Sequence, residues 1–157
     1  MYKEYLTGLL NGNIRSLARC ISLVENEAEG YDQILEQLPS NNHTKVIGVT
    51  GPPGAGKSTL VNSLISSLLE ADKSVAIIAV DPSSPFNFGA LLGDRIRMSQ
   101  HFNHPKVFIR SMASRGALGG LSPKIIEVSD LIKAAAFDYL FIETVGVGQS
   151  EVEIAGV

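Results

Sequence analysis

The sequence predicts an α/β fold of three layers, α/β/α, whose mainly parallel sheet presents a phosphate site at its carboxyl edge. Three features carry that expectation. Apolar runs of strand length at 46–50, 75–80, 107–109 and 138–142 alternate with runs of helical periodicity, the pattern of parallel strands joined by helical crossovers. Val75-Ala-Ile-Ile-Ala-Val80 has no polar alternation, as expected of a strand buried on both faces. Between the first of these strands and the next helix stands Gly51-Pro-Pro-Gly-Ala-Gly-Lys-Ser58, which has the spacing of a phosphate-binding loop.

Ahead of the first strand, apolar residues at Tyr2, Tyr5, Leu6 and Leu9, at Ile14, Leu17, Ala18, Ile21 and Val24, and at Tyr31, Ile34, Leu35 and Leu38 recur at helical spacing. Three amphipathic helices are predicted. Asn13 suits the cap of the second, Gly30 its C-terminal end, and Pro39 closes the third. The polar stretch 40–44 links them to the sheet, so the expected division is a helical extension over 1–40 and a nucleotide domain over 45–157. The apolar faces of the extension are read as packing faces, with partner docking as the alternative.

The loop 51–58 has a mechanical reading at each position. Glycines at 51, 54 and 56 let the backbone bring N–H groups close to phosphate oxygens. A helix predicted from Lys57 to Leu69 aims its unpaired N–H groups and positive dipole end at the same anion. Lys57 would reach the β/γ-phosphates, and the Ser58 hydroxyl would ligate Mg²⁺. A glycine-rich turn before an ordinary helix is the bland alternative, and the agreement of strand, loop, Lys-Ser and helix argues against it.

In that helix Leu60, Val61, Leu64, Ile65, Leu68 and Leu69 make one apolar face. Asp81 ends the 75–80 strand, where ligands of open α/β sheets bind. Residues 82–93, rich in Pro, Ser and Gly, form a candidate first switch loop. Asp94 then opens a short helical stretch; capping and metal binding compete as its role, and spacing alone favours capping. A short strand at 107–109 leads into a basic, glycine-rich loop, 110–120. Ser122-Pro123 suits a cap and first helical position, with Ile125, Val128, Ile132 and Ala135 as the buried stripe. The last strand ends in Glu143, the acidic strand end that accompanies a P-loop and holds the Mg²⁺ shell. Residues 144–151 read as a second switch: Gly146 allows close approach to the γ-phosphate and Gly148 allows movement.

With 157 residues, 45% of them hydrophobic, and a net charge of −3, the chain has a core but no electrostatic argument for nucleic acid or anionic membrane. A single cysteine, Cys20, excludes an internal disulfide, and His43, His101 and His104 lie at no metal-ligand spacing with it. No signal or long apolar segment is present. A cytoplasmic location is expected.

The blocks GPPGAGKST (51–59), VDPSSPFNFGALLGDRIRM (80–98), RSMASRGALGGLS (110–122) and ETVGVGQSEVEI (143–154) resemble the MeaB/ArgK family. These are SIMIBI-class P-loop GTPases that serve adenosylcobalamin-dependent methylmalonyl-CoA mutase and its relatives. The P-loop is generic, the other three blocks are specific, and the resemblance covers essentially the whole chain. It implies a Mg²⁺-dependent conversion of GTP to GDP by a chaperone that gates cofactor loading and protects the mutase. An adenosyltransferase partner and a homodimer are implied with it, and neither nucleic acid nor membrane is. Carried over by position, the Mg²⁺ shell falls on Ser58, Asp81, Asp94 and Glu143, which reverses the capping preference for Asp94. Nucleotide contacts are expected at Gly51, Pro53, Gly54, Ala55, Gly56, Lys57, Ser58, Thr59 and Gly146; Lys57 would neutralise charge developing on the γ-phosphate, and Gln149, by its place in the second switch, is the candidate for positioning the attacking water. Arg97, Arg110 and Arg115 are further candidates for transition-state charge, against the bland reading of solvated surface.

Phe137 stands where the family often has glycine. No Asn-Lys-x-Asp motif occurs in residues 1–157, so the domain is expected to stop after the second switch and to lack its guanine pocket. Three alternatives share the P-loop: a kinase of basic amino-acid transport, a metal-delivery GTPase, disfavoured by the solitary Cys20, and a nucleotide-binding module that only docks partners.

Overall fold

The computed structural model describes residues 1–40, 43–52, 54–81, 99–113 and 123–144, without the side chains of Asp81 and Ser99. In chain order the elements are α1 (Tyr2–Leu10), α2 (Ile14–Glu25), α3 (Tyr31–Glu36), β1 (Lys45–Val49), α4 (Lys57–Glu70), β2 (Val75–Asp81), a 3-10 turn (Ser99–His101), β3 (Val107–Ala113), α5 (Ile125–Ala134) and β4 (Tyr139–Thr144). They fall into two units, one built on Met1–Lys45 with Lys124–Asp138, the other on Val46–Pro123 with Tyr139–Val157.

In the first unit α2 packs against α1, α3 and α5. Leu9, Leu17, Ile21, Val24 and Ile34 are fully buried, as the periodicity of the sequence placed them; Cys20 and Leu131, which were not on the expected faces, are fully buried with them, and Ala135 of the expected stripe is only half-buried. Where α1 approaches α2, a Cβ on Gly8 would meet Ser16 Oγ; only a glycine lets these two helices come this close. Asn13 caps α2, its Oδ1 accepting from Ser16 N at 3.0 Å. Gly30 does not end α2 as expected. The helix stops at Glu25, where Ala28 N donates to Leu23 O at 2.9 Å and Glu27 N to Val24 O at 3.2 Å, with Glu27 left-handed at φ 48°. That pair of bonds closes a helix without glycine's help, and Gly30 instead precedes α3. Lys124, at the start of α5, pairs with Glu27 at 2.8 Å and lies 5.2 Å from the Tyr31 ring centroid. Its bond to Glu27 holds the ammonium above the usual lysine pKa.

The second unit is a four-stranded sheet of order β1-β4-β2-β3. β2 pairs in parallel with β3, from Val75↔Val107 to Asp81↔Ala113, and with β4, from Val75↔Tyr139 to Val80↔Thr144. Val75 to Val80 are buried without a break, as a strand with neighbours on both edges requires. Val61 and Ile65 of α4 close over Val75, Ile77, Val107 and Phe141.

Three expectations are corrected here. β3 runs on to Ala113 because its ladder with β2 continues through Ile78↔Arg110 and Val80↔Met112, so Arg110 belongs to a strand, not a loop. α5 begins at Ile125 behind Lys124, with no side-chain cap; Pro123 precedes it in a turn, and Ser122 lies outside the described residues. In α4, Leu60 and Leu64 are 54% and 38% exposed, because the face that meets the sheet is narrower than six apolar positions. The short helix expected from Asp94 lies outside the described residues except for its last turn. There His101 is buried, and burial pushes its imidazole below the usual value.

Candidate functional site at the carboxyl edge of the sheet

The strand order brings the carboxyl ends of β1, β4 and β2 side by side, although β4 is the last of them in the chain. Each end delivers one sequence-predicted element: the 51–58 loop after β1, Glu143 near the end of β4, and Asp81 at the end of β2. In register Ala79 faces Glu143 and Val80 faces Thr144, so the Asp81 backbone stands one step beyond Thr144.

The loop turns on glycines at positive φ, 144° at Gly51, 79° at Gly54 and 87° at Gly56. Gly56 is the left-handed residue directly before α4, a conformation that costs other residues about 1–2 kcal/mol. Ala55 N donates to Pro52 O at 3.2 Å within the turn. α4 starts with no side-chain cap and no acid in its first turn, which leaves its first N–H groups and positive dipole end available to an anion. The Lys57 ammonium folds back over the loop, donating to Gly51 O at 2.6 Å and Pro52 O at 3.0 Å. Thr59 is exposed beside it.

Ser58 and Glu143 meet. Ser58 Oγ donates to Glu143 Oε1 at 2.8 Å, and the carboxylate is 8% exposed. A hydroxyl and a buried carboxylate in contact form a hard-oxygen set that suits Mg²⁺, which takes few protein ligands and leaves room for phosphate and water. Ser58 and Glu143 would hold the ion. Among the described residues no group of three or more His, Cys, Asp or Glu side chains could hold a metal. Pro53, Asp94, Gly146 and Gln149, with Arg97 and Arg115, lie outside the described residues, and Asp81 is placed by its backbone alone.

A second bond crosses the same gap. Thr144 Oγ1 donates to Thr50 Oγ1 at 3.2 Å, and Thr144 is fully buried. The sequence placed Thr144 at the start of the second switch, whereas it is the last residue of β4, and it assigned no role to Thr50; the available signal was a hydroxyl residue at both strand ends.

The family model for the methylmalonyl-CoA mutase-associated GTPase MeaB matches residues 17–157. The chain belongs to the MeaB family. MeaB-family resemblance extends to an Escherichia coli GTPase named ArgK, 41% identical over 157 residues, covering 97% of this chain and 47% of that protein. A Pyrococcus abyssi protein whose GTPase name is provisional is 48% identical over 155 residues, covering 98% of this chain and 48% of its own. A fused isobutyryl-CoA mutase of Geobacillus kaustophilus is 40% identical over 165 residues, covering 98% of this chain and 15% of its own. Among solved structures, a crystal structure of LAO/AO transport system kinase superposes with a TM-score of 0.74 at 33% identity, covering 98% of this chain and 46% of that one. The chain spans about half the length of the ArgK and Pyrococcus relatives. The α/β fold, its parallel sheet and the placement of its P-loop are those of a MeaB-family GTPase.

Proposed function

We propose that the protein binds GTP with Mg²⁺, hydrolyses it to GDP, and uses the cycle as a chaperone of an adenosylcobalamin-dependent mutase, gating cofactor loading and protecting the loaded enzyme. The observation that carries the nucleotide half of this reading is the 2.8 Å bond from Ser58 to Glu143, which joins the P-loop hydroxyl to the strand-end acid. The mutase half rests on the family and on a fused isobutyryl-CoA mutase that contains a related segment in one polypeptide.

In this reading the backbone N–H groups of the loop and the start of α4 cradle the phosphates, and Lys57 moves from its loop carbonyls to the γ-phosphate oxygens. Ser58, Asp81, Asp94 and Glu143 hold Mg²⁺, which when bound neutralises charge developing between the β- and γ-phosphates. Gln149 orients the attacking water, and the Gly146 N–H approaches the γ-phosphate. Pro53, Gly54, Ala55 and Thr59 complete the loop around the nucleotide. An adenosyltransferase delivers the cofactor, and the working unit is a homodimer in the cytoplasm.

Phosphate release from GTP by the full-length protein, measured with and without mutase, tests the reading. Expected is Mg²⁺-dependent turnover that the mutase accelerates; turnover indifferent to the mutase would remove the chaperone half. A second reading, a kinase of basic amino-acid transport, is supported by the name of the solved structure at TM-score 0.74. Labelled γ-phosphate appearing on a basic amino acid, instead of in inorganic phosphate, would favour it. Metal delivery fits less well, since burial pushes the Cys20 thiol up to about 11, and a protonated thiol is a poor ligand.

A further inference from the structure

The P-loop is gripped from both flanks by two consecutive residues of one strand. Glu143 accepts from Ser58, the second residue of α4, at 2.8 Å. Thr144 donates to Thr50, the residue before Gly51, at 3.2 Å. Consecutive residues of a strand send their side chains to opposite faces. The pair therefore reaches past both sides of the end of β4, one to the residue entering the loop and one to the helix leaving it.

The partners of the hydroxyl bond are 94 positions apart in sequence, and Thr144 is fully buried. A buried hydroxyl left without a partner is costly, so the bond resists opening. Its direct mechanical effect is on the neighbouring residue: a strand end tied at Thr144 cannot slide or twist without breaking the bond, and Glu143 is fixed along with it.

We infer that the Thr50–Thr144 hydroxyl pair is a positioning element for the metal shell, setting the Glu143 carboxylate against the Ser58 hydroxyl so that Mg²⁺ is held in the geometry hydrolysis needs. The inference rests on the GTPase reading above. Thr144 touches neither nucleotide nor metal in this role; it acts through Glu143, and Thr50 acts through the first residue of the loop.

The test uses the full-length protein with Thr144→Val, which keeps the shape and removes the hydroxyl, and Thr144→Ser, which keeps the hydroxyl. Calorimetry measures GDP affinity with and without Mg²⁺, and single-turnover hydrolysis is followed over a Mg²⁺ titration. For Thr144→Val the metal-free GDP affinity should stay within about twofold of wild type, because the phosphate cradle is intact. The Mg²⁺ concentration for half-maximal hydrolysis should rise, and the turnover rate fall, by about tenfold each, the range for outer groups that orient metal ligands. Thr144→Ser should recover both to within about threefold.

Thr50→Val should reproduce the Thr144→Val profile, and the double variant should be no worse than either, as for two ends of one bond. This half-buried position also keeps the inference testable if Thr144→Val does not fold. A merely structural role would lower the melting temperature of the valine variants and leave the Mg²⁺ titration where it was, which overturns the inference. A serine variant as impaired as the valine one overturns it as well. Wild-type protein that binds GDP no better than ADP and releases no phosphate would overturn the GTPase reading itself.

Discussion

Lys57 contributes almost nothing to the fold that another residue could not supply, since among the described residues its ammonium meets only the carbonyls of Gly51 and Pro52. Under the proposed function its charge matters when phosphate replaces those carbonyls. Lys57→Ala should therefore lower GDP affinity by about tenfold to a hundredfold, the range for one charge-assisted contact, and leave the urea midpoint unchanged; calorimetry beside urea denaturation checks both. Cys20 behaves in the opposite way. Its thiol is held neutral by burial, with a pKa raised from 9.0 to about 11. The raised value belongs to the folded chain, so between pH 9 and pH 11 the unfolded chain sheds the proton while the folded one keeps it, and stability falls as pH rises through that window. Cys20→Ala should remove this alkaline decline, and in the wild type the thiol should react with a maleimide at pH 8 only as fast as the helical unit opens.

At the scale of elements, helix ends explain what periodicity missed. α1, α2 and α4 close with the same paired bonds, and the left-handed residue is glycine only in α1, at Gly12. In α2 and α4 it is Glu27 and Asp72, and after α5 Ala136 takes the same conformation at φ 60°. Ala136→Gly should raise stability by up to about 1 kcal/mol in urea denaturation, because the exposed methyl makes no compensating bond and left-handed backbone disfavours it. Packing gives a sharper contrast within α4. Ile65 is fully buried in the sheet-facing cluster, so Ile65→Ala should cost about 2–4 kcal/mol, whereas Leu60→Gln on the exposed face should cost less than about 0.5 kcal/mol. Equal losses at the two positions would mean that the face is assigned wrongly.

Over the whole molecule, the sheet and its P-loop were legible because their signals are local: an unbroken apolar run at 75–80, glycines at fixed spacing, and an acid at the end of an apolar strand. What was not legible depends on pairing between distant residues. The four extra residues at the end of β3 are held by the β2 ladder, and nothing in Arg110-Ser-Met-Ala113 alone distinguishes strand from loop. The end of α2 was misplaced because glycine is the usual signal of a helix end, and here Glu27 does the same work. The meeting of Ser58 with Glu143 was expected from motif knowledge. That of Thr50 with Thr144 was not, since a threonine at a strand end carries no signal until its partner is known.

The order β1-β4-β2-β3 also has a consequence in time. β4 enters between β1 and β2, so the P-loop leaves the ribosome long before the strand that completes its setting. The 94 positions from Thr50 to Thr144 correspond to about 5–20 s of translation at ordinary elongation rates. During that interval β1 has no neighbour among the described strands, and its apolar Val46, Ile47 and Val49 await one. Synonymous changes that slow elongation between codons 60 and 139 should lengthen this window and raise the aggregated fraction without altering any residue of the finished protein.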